Sequence, residues 1–185
     1  MHVELRNCLG HFATGVTVVT CTAGGEPHGA TVNSFTAVSL DPPLVLVALA
    51  LRSKACRYLD GVPFTVNVLR RQQDDLARHF AGHPTAGSVE WVPDTERLAG
   101  ALAYLSCTPW RSYDGGDHVL FLGEVTEFEY FGGEPLVFFR GAFRPLGQAF
   151  EAGLDELPWL GSLDSPDAGW LPAPRADHTE LRSRT

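Results

Sequence analysis

A run of small residues suits a flat ligand. Residues 29–35 read Gly-Ala-Thr-Val-Asn-Ser-Phe, and a β-branched segment and an Asp-Pro-Pro stop at 41–43 follow them. Side chains of this size leave room for a planar molecule to lie against main-chain N–H and C=O groups. Close packing between ordinary strands would explain the same residues equally well, so this segment alone does not establish a binding site.

A second chemical signal lies at Arg52-Ser53-Lys54. Ser53 is predicted to be the N-cap of a short helix that ends near Asp60. A hydroxyl, free backbone amides, the positive end of the helix dipole and two cations would then meet at one point, which suits a phosphate group. The alternative is a capped surface helix without a ligand.

A third signal is the turn Gly116-Asp117-His118, which leads into an apolar strand. An imidazole at this place can take part in binding or in acid–base chemistry. A single histidine at the start of a strand is structural as often as it is functional. Its role therefore has to be judged together with the other motifs of the sequence.

Taken in this order, these blocks resemble the short-chain flavin reductase family, whose members have the FMN-binding split-barrel fold. The resemblance covers roughly residues 5–147. It implies that His118, oriented by Asp117, lies beside the nicotinamide. It also implies a set of flavin-binding residues: Thr31, Val32, Asn33, Ser34, Phe35, Ala48, Leu49, Ala50, Arg52, Ser53, Lys54, Phe80, Ala81 and Gly82.

Two positions qualify the resemblance. Relatives often have a threonine two residues after the serine of the phosphate site, where this chain has Ala55. Phe80 would close over the ring or its ribityl chain, although a phenylalanine at a helix end is also a common core residue.

Arg140 or Arg144 could meet the phosphates of the nicotinamide dinucleotide or a partner's carboxylate, or could simply face solvent.

The resemblance implies an NAD(P)H:flavin oxidoreductase that transfers hydride from NADH or NADPH to FMN or FAD. It further implies a homodimer that supplies reduced flavin to a separate monooxygenase. Two alternatives stay open: a split-barrel oxidase or oxygenase with tightly bound flavin, and a non-enzymatic flavin carrier or redox module. No GxGxxG motif follows a strand and opens a helix, so the sequence predicts no Rossmann nucleotide domain.

The elements that must position these residues are mainly strands. Alternating and β-branched patterns predict strands at 15–22, 28–38, 43–51, 63–69, 101–110, 117–130 and 136–143. Short flanking helices are predicted at 2–12, 53–60 and 72–81. Because helices do not alternate with strands as in βαβ units, the pattern favours a closed antiparallel barrel over a parallel sheet. The resemblance implies that this barrel is a mainly β, Greek-key split β-barrel.

Composition narrows the function further. The 185 residues carry a net charge of −8, which argues against nucleic-acid binding. The longest apolar run, 43–51, is much shorter than the roughly 20 residues that span a bilayer, and no signal peptide is recognisable. Four scattered cysteines predict free thiols in a cytoplasmic protein and no metal site.

The same composition suggests two parts of the chain. Residues 1–147 are predicted to form the barrel domain. Residues 148–185 are rich in proline and glycine and are predicted to be a tail. Its apolar residues, among them Trp159 and Trp170, suggest that it packs on the barrel or on a dimer partner.

Overall fold

The computed structural model describes residues 1–84 and 87–147, and the predicted tail at 148–185 lies outside the described residues. Three helices are present in the described part: α1 (His2–Leu9), α2 (Lys54–Leu59) and α3 (Asp74–Phe80). The strands there are β1 (Thr14–Gly15), β2 (Thr17–Ala23), β3 (Glu26–Val32), β4 (Thr36–Leu40), β5 (Pro43–Ala50), β6 (Phe64–Val68), β7 (Ala103–Asp114), β8 (His118–Tyr130), β9 (Val137–Phe139) and β10 (Ala142–Arg144).

These strands form two antiparallel sheets. The large sheet has the order β3-β2-β6-β7-β8-β5-β4, and a small sheet has the order β1-β9-β10. Although β3 and β4 are consecutive in the chain, they lie at opposite edges of the large sheet. Residues 33–35 therefore lead from one edge to the other, as expected where a sheet curls into a barrel. The predicted mainly β split-barrel fold with short helices is confirmed.

One side chain extends the pairing of β4 with β5 beyond the start of β4. The Ser34 hydroxyl donates a hydrogen bond to the Ala48 carbonyl (2.9 Å) and accepts one from the Ala48 amide (3.0 Å). Ser34 lies two residues before β4, and it falls opposite Ala48 in the register in which Thr36 pairs with Leu46. A hydroxyl here takes the place of a neighbouring strand in satisfying the backbone of β5.

Several predicted boundaries were wrong. The single strand at 28–38 is broken at 33–35, because one continuous strand could not occupy both edges of the sheet. The strand at 136–143 is two strands, β9 and β10, joined by the turn Arg140-Gly141. The first helix ends at Leu9 and not at residue 12, and the third is preceded by a 3-10 turn at Arg71–Gln73.

Two apolar clusters fill the described domain. The main cluster lies between the large sheet and α2, and Val47 and Val66 at its centre are fully buried. The second cluster joins α3 to the small sheet through Val16, Leu69 and Ala77. The four cysteines are free, as predicted. Burial in the main cluster raises the pKa of the Cys107 thiol to about 12.

A polar network is buried beside the second cluster. The fully buried Asn67 donates from Nδ2 to the Val18 carbonyl and to Thr20 Oγ1, each at 3.0 Å. Its Oδ1 accepts a hydrogen bond from the Leu98 amide at 2.8 Å. The Thr20 hydroxyl donates to the Glu96 carbonyl. The network thus holds the loop around Leu98 against the sheet with its polar groups paired.

Among residues 1–84 and 87–147, no helix combines the length and the apolar character needed to cross a membrane.

Candidate functional site

The pairing of β5 with β8 brings together two groups of predicted residues that are distant in sequence. Ala50 lies opposite His118, and Ala48 lies opposite Leu120. Just beyond the paired residues, the Leu51 amide donates to the Asp117 carbonyl at 3.0 Å. His118 and Asp117 therefore lie beside the end of β5, where the chain turns towards Ser53 and the start of α2.

His118 is held by its neighbour in the chain. Its Nδ1 lies 2.6 Å from Asp117 Oδ1, so Nδ1 carries the hydrogen and Nε2 remains for another partner. The hydrogen bond from His118, its charge when protonated, and the more distant Arg52 keep the pKa of the Asp117 carboxyl below its ordinary value of 3.8. The side chains are 42% and 94% exposed for His118 and Asp117, so a ligand can reach the imidazole.

The predicted N-cap is confirmed at Ser53. Its Oγ accepts a hydrogen bond from the Cys56 amide at 3.1 Å, and its own amide donates to the Ala50 carbonyl at 2.8 Å. Because Oγ acts as an acceptor here, the hydroxyl hydrogen can still be donated to an anion. Arg52 and Lys54 on either side are exposed. The residues present therefore fit a phosphate group.

The hydroxyls of the small-residue segment serve the protein itself. Thr31 Oγ1 donates to the Ala77 carbonyl at 2.7 Å and so joins β3 to α3. Ser34 uses its hydroxyl on both backbone groups of Ala48. Val32 and Phe35 pack against the main apolar cluster, while Asn33 is exposed. The polar groups that this segment offers to a ligand are thus its backbone and the Asn33 amide.

A pocket lies between β3, β5 and α2, with about 470 Å³ of empty space including its open mouth. It contains two of the predicted residues, Leu49 and Lys54. The other lining residues are outside the predicted set, and they include His28, Gly29 and Tyr58. The rings of His28 and Tyr58 lie 4.5 Å apart, tilted by 33°. Gly29 begins the small-residue run and could have been included, but no local pattern relates His28 to Tyr58.

The end of α3 approaches this pocket from the side of the second cluster. The Phe80 ring packs directly on Gly29, where an added Cβ would lie only 2.6 Å from two ring carbons. Phe80 also meets Trp91 edge to face, with ring centroids 6.2 Å apart. Ala81 and Gly82 are exposed, and Gly82 has a positive φ of 90°.

The predicted residues therefore form two groups. One contains the end of β5, the start of α2 and the Asp117–His118 pair, and the other lies where α3 packs on β3. Ser34 and the pocket between β3 and β5 link them. Such a site offers a slot beside backbone groups, an anion-binding helix start and one accessible imidazole.

Comparisons with known proteins agree on one class of protein. The family described as flavin reductase like domain matches residues 9–147. An NADH-dependent flavin reductase of a Rhodococcus species is 41% identical over 164 residues, covering 85% of this chain and 91% of that protein. The reductase component of 4-hydroxyphenylacetate 3-monooxygenase from Thermus thermophilus is 40% identical over 148 residues, covering 79% and 97%.

A solved structure shows the same fold. The NADH:FAD oxidoreductase SgcE6 of Streptomyces globisporus C-1027, in complex with NAD and FAD fragments, matches with a TM-score of 0.74 at 43% identity. The match covers 79% of this chain and 93% of that one.

Proposed function

This chain belongs to the flavin reductase-like domain family, and we propose that it transfers hydride from NADH to FMN or FAD. It is an NADH-dependent flavin reductase whose reduced flavin is consumed by a separate monooxygenase component. The observation that carries the assignment of the site is the pairing of Ala50 with His118. This pairing supports the proposal because the start of α2 and the accessible imidazole then lie at the same end of the sheet.

The start of α2 binds the flavin phosphate. The Ser53 hydroxyl keeps its hydrogen for a phosphate oxygen, because its own oxygen accepts from the Cys56 amide. Arg52 and Lys54 add charge next to it. These groups compensate for the hydroxyl that Ala55 does not provide.

Backbone groups of the 31–35 segment and of 48–50 hold the polar edge of the ring. Thr31 and Ser34 act as positioning residues, since their hydroxyls fix the segment to α3 and β5. Phe80, Ala81 and Gly82 at the end of α3 limit the space over the ring, with Gly29 allowing Phe80 to approach. Protein groups fixed in this way exclude water from one side of the slot.

His118 binds the nicotinamide carboxamide. Asp117 holds Nδ1, so that Nε2 is turned to a ligand rather than to a protein group. The bound flavin supplies the acceptor for the hydride, and the transfer itself requires no proton from the protein. The imidazole therefore acts by orientation, and its removal weakens nicotinamide binding more than flavin binding.

Turnover with added flavin tests the function. NADH and NADPH oxidation is followed by absorbance on the purified full chain, with FMN and FAD each titrated in. We expect rapid oxidation that saturates with added flavin. Tightly bound flavin with negligible oxidation would contradict a reductase and favour an oxidase or a carrier.

A double variant tests the phosphate site. Ser53→Ala with Lys54→Ala removes the donor and one cation, so the Kd for FMN should rise by about tenfold or more. The matched control is Ser88→Ala with Arg111→Ala, which removes a hydroxyl and a cation at exposed positions elsewhere. Unchanged flavin affinity in the double variant would rule out this role for the start of α2.

A homodimer is proposed as well. No residue of α1 is buried, and its helix leaves Leu5 and Leu9 exposed, followed by Phe12 with 78% of its surface exposed. A helix of eight residues is marginal in water unless its apolar face is covered. A second copy of the chain would cover it. Light scattering should give a dimer mass, and Leu9→Glu should shift it towards the monomer while Glu4→Gln does not.

The cytoplasm is the proposed compartment. NADH is available there, and a reducing environment keeps thiols free. All four cysteines of the chain are free thiols, including the exposed Cys8. Detection of the protein in an oxidising compartment of its source cell would contradict this assignment.

A further inference from the structure

The end of α1 and the β9–β10 turn enclose a second polar pocket. It has about 650 Å³ of space including its open mouth, and it is lined by Arg6, Asn7, Gly10, His11, Arg140 and Gly141. None of these residues belongs to the flavin or nicotinamide site proposed above. We propose that this pocket binds a phosphate-bearing small molecule through Arg6, Arg140 and His11.

The turn that carries Arg140 is strained. Phe139 pairs with Ala142, so Arg140 and Gly141 form a two-residue hairpin loop with positive φ values of 50° and 78°. Such a loop favours asparagine, aspartate or glycine at its first position, and arginine gains nothing from this conformation. Strain of this kind tends to persist where the side chain has a task, and here Arg140 lines the pocket.

The arginines are not needed to cap α1. The carbonyls of Arg6, Cys8, Leu9 and Gly10 accept hydrogen bonds from the backbone amides of Gly10, His11, Phe12 and Arg140. The Asn7 carbonyl accepts from His11 Nδ1 at 2.8 Å. The carbonyls that end the helix are therefore satisfied without either guanidinium.

The same hydrogen bonds organise the pocket. The bond from the Arg140 amide to the Gly10 carbonyl, 2.9 Å long, fixes the hairpin turn against the end of α1. His11 donates from Nδ1 to Asn7, so Nε2 is left for a ligand. Phe139 meets the His11 ring edge to face at 6.3 Å and limits its motion.

Charge makes the pocket unusual in this chain. The protein carries a net charge of −8, yet this concavity has two guanidinium groups and an imidazole on its walls. Within residues 1–84 and 87–147, neither Arg6 nor Arg140 lies within ion-pair distance of a carboxylate. Two planar forks and an imidazole suit the several oxygens of a phosphate or pyrophosphate.

Calorimetric titration of the full chain with inorganic pyrophosphate and with ADP tests the proposal. It is done at fixed ionic strength with excess FMN present, so that the start of α2 is already occupied. We expect saturable binding of one anion per chain. Arg140→Asn should weaken it by about tenfold or more, because a charge-assisted pair is lost. Arg6→Gln should weaken it as well. The matched control, Arg111→Gln, removes an exposed arginine of β7 outside the pocket and should leave the affinity unchanged.

Thermal unfolding separates a loss of binding from a loss of stability in the Arg140 variant. Without ligand, Arg140→Asn should melt higher than the wild type, since asparagine tolerates positive φ. With pyrophosphate present the wild type should gain more in Tm than the variant. Tighter binding of ADP than of pyrophosphate would identify a nucleotide as the natural ligand, and equal binding a free phosphate. Absence of saturable binding, or equal weakening by Arg140→Asn and Arg111→Gln, would overturn the proposal.

Discussion

Two polar clusters of this protein use similar groups in opposite ways. Around Asn67, amide, hydroxyl and backbone groups are buried, and those of Asn67 and Thr20 are all paired within the chain. Around His118, carboxylate, imidazole and hydroxyl groups are open to solvent, and each retains one unused donor or acceptor. A polar group that is buried and fully paired supports the fold. A polar group that makes one hydrogen bond within the protein and keeps a second donor or acceptor unused is available to a ligand.

The same comparison applies within the small-residue segment. In the sequence, Thr31 and Ser34 are predicted to bind the ligand. In the structure, their hydroxyls donate hydrogen bonds to the carbonyls of Ala77 and Ala48. Ser53 differs because its oxygen only accepts, which leaves its hydrogen free. The bonding state of each hydroxyl, and not its residue type, separates positioning residues from binding residues.

The largest effect should come from breaking the buried cluster. Asn67→Ala leaves the Leu98 amide and the Val18 carbonyl with fewer partners, so the free energy of unfolding should fall by about 3 kcal/mol. Urea denaturation measures it. The exposed Asn33→Ala is the control and should stay within about 0.5 kcal/mol while weakening flavin binding. An equal loss in the free energy of unfolding of both variants would contradict the distinction between the buried and the open cluster.

A smaller loss of stability is expected from substitution of Gly29, where the pocket meets the second cluster. In Gly29→Ala the new Cβ would lie 2.6 Å from Phe80, so the ring must move, at a cost of about 2 kcal/mol. Thermal unfolding of Gly29→Ala alone and combined with Phe80→Leu measures this, and the second change should restore part of the loss. Gly15→Ala, with no atom near its Cβ, is the matched control. A loss no greater than that of Gly15→Ala would contradict the close packing.

The open cluster should respond in binding rather than in stability. His118→Ala should raise KM for NADH by about tenfold, with little change in KM for flavin, because it removes an orienting contact. Steady-state kinetics with each substrate varied in turn measures both constants. His2→Ala, which removes an exposed imidazole at the N-terminus, is the control. A parallel rise of both constants would count against a nicotinamide role.

The smallest effect is the acid dependence of the open pair. The pKa of Asp117 is lowered in the folded protein, chiefly by its hydrogen bond to His118, so its ionised form is favoured there. The stability that it contributes is present above the ordinary value of 3.8 and is lost as pH falls through the lowered pKa. Urea unfolding of the wild type and Asp117→Asn should therefore differ slightly at neutral pH and converge in stronger acid. A gap that widens on acidification would show the opposite sign.

Local rules predicted much of the fold and part of the site. The Ser53 cap follows from residue type and position, and β5, β6 and β8 lie close to their predicted bounds because their apolar patterns are strong. The break at 33–35 was missed, since Thr31, Val32 and Thr36 all favour strand. Only the sheet order requires the chain to leave one edge there.

Long-range geometry explains what the sequence could not provide. The blocks containing Ser53 and His118 were recognised separately, but the pairing of Ala50 with His118 depends on the register between β5 and β8. Likewise, the His28–Tyr58 contact arises only when α2 packs on β3. The positive φ of Arg140 could not be predicted, because a two-residue loop is usually recognised in a sequence by asparagine or glycine at that position.

The link between Ser34 and Ala48 has a consequence for how the protein opens. The Ala48 amide is held by a side-chain oxygen just before the start of β4, and not by the backbone of a paired strand. Its exchange with deuterated solvent therefore reports the separation of the 33–35 connection from β5, while amides in the middle of the sheet report global unfolding. Because Ser34 belongs to the segment that we propose to bind flavin, bound flavin should slow exchange at this one amide before it slows the rest.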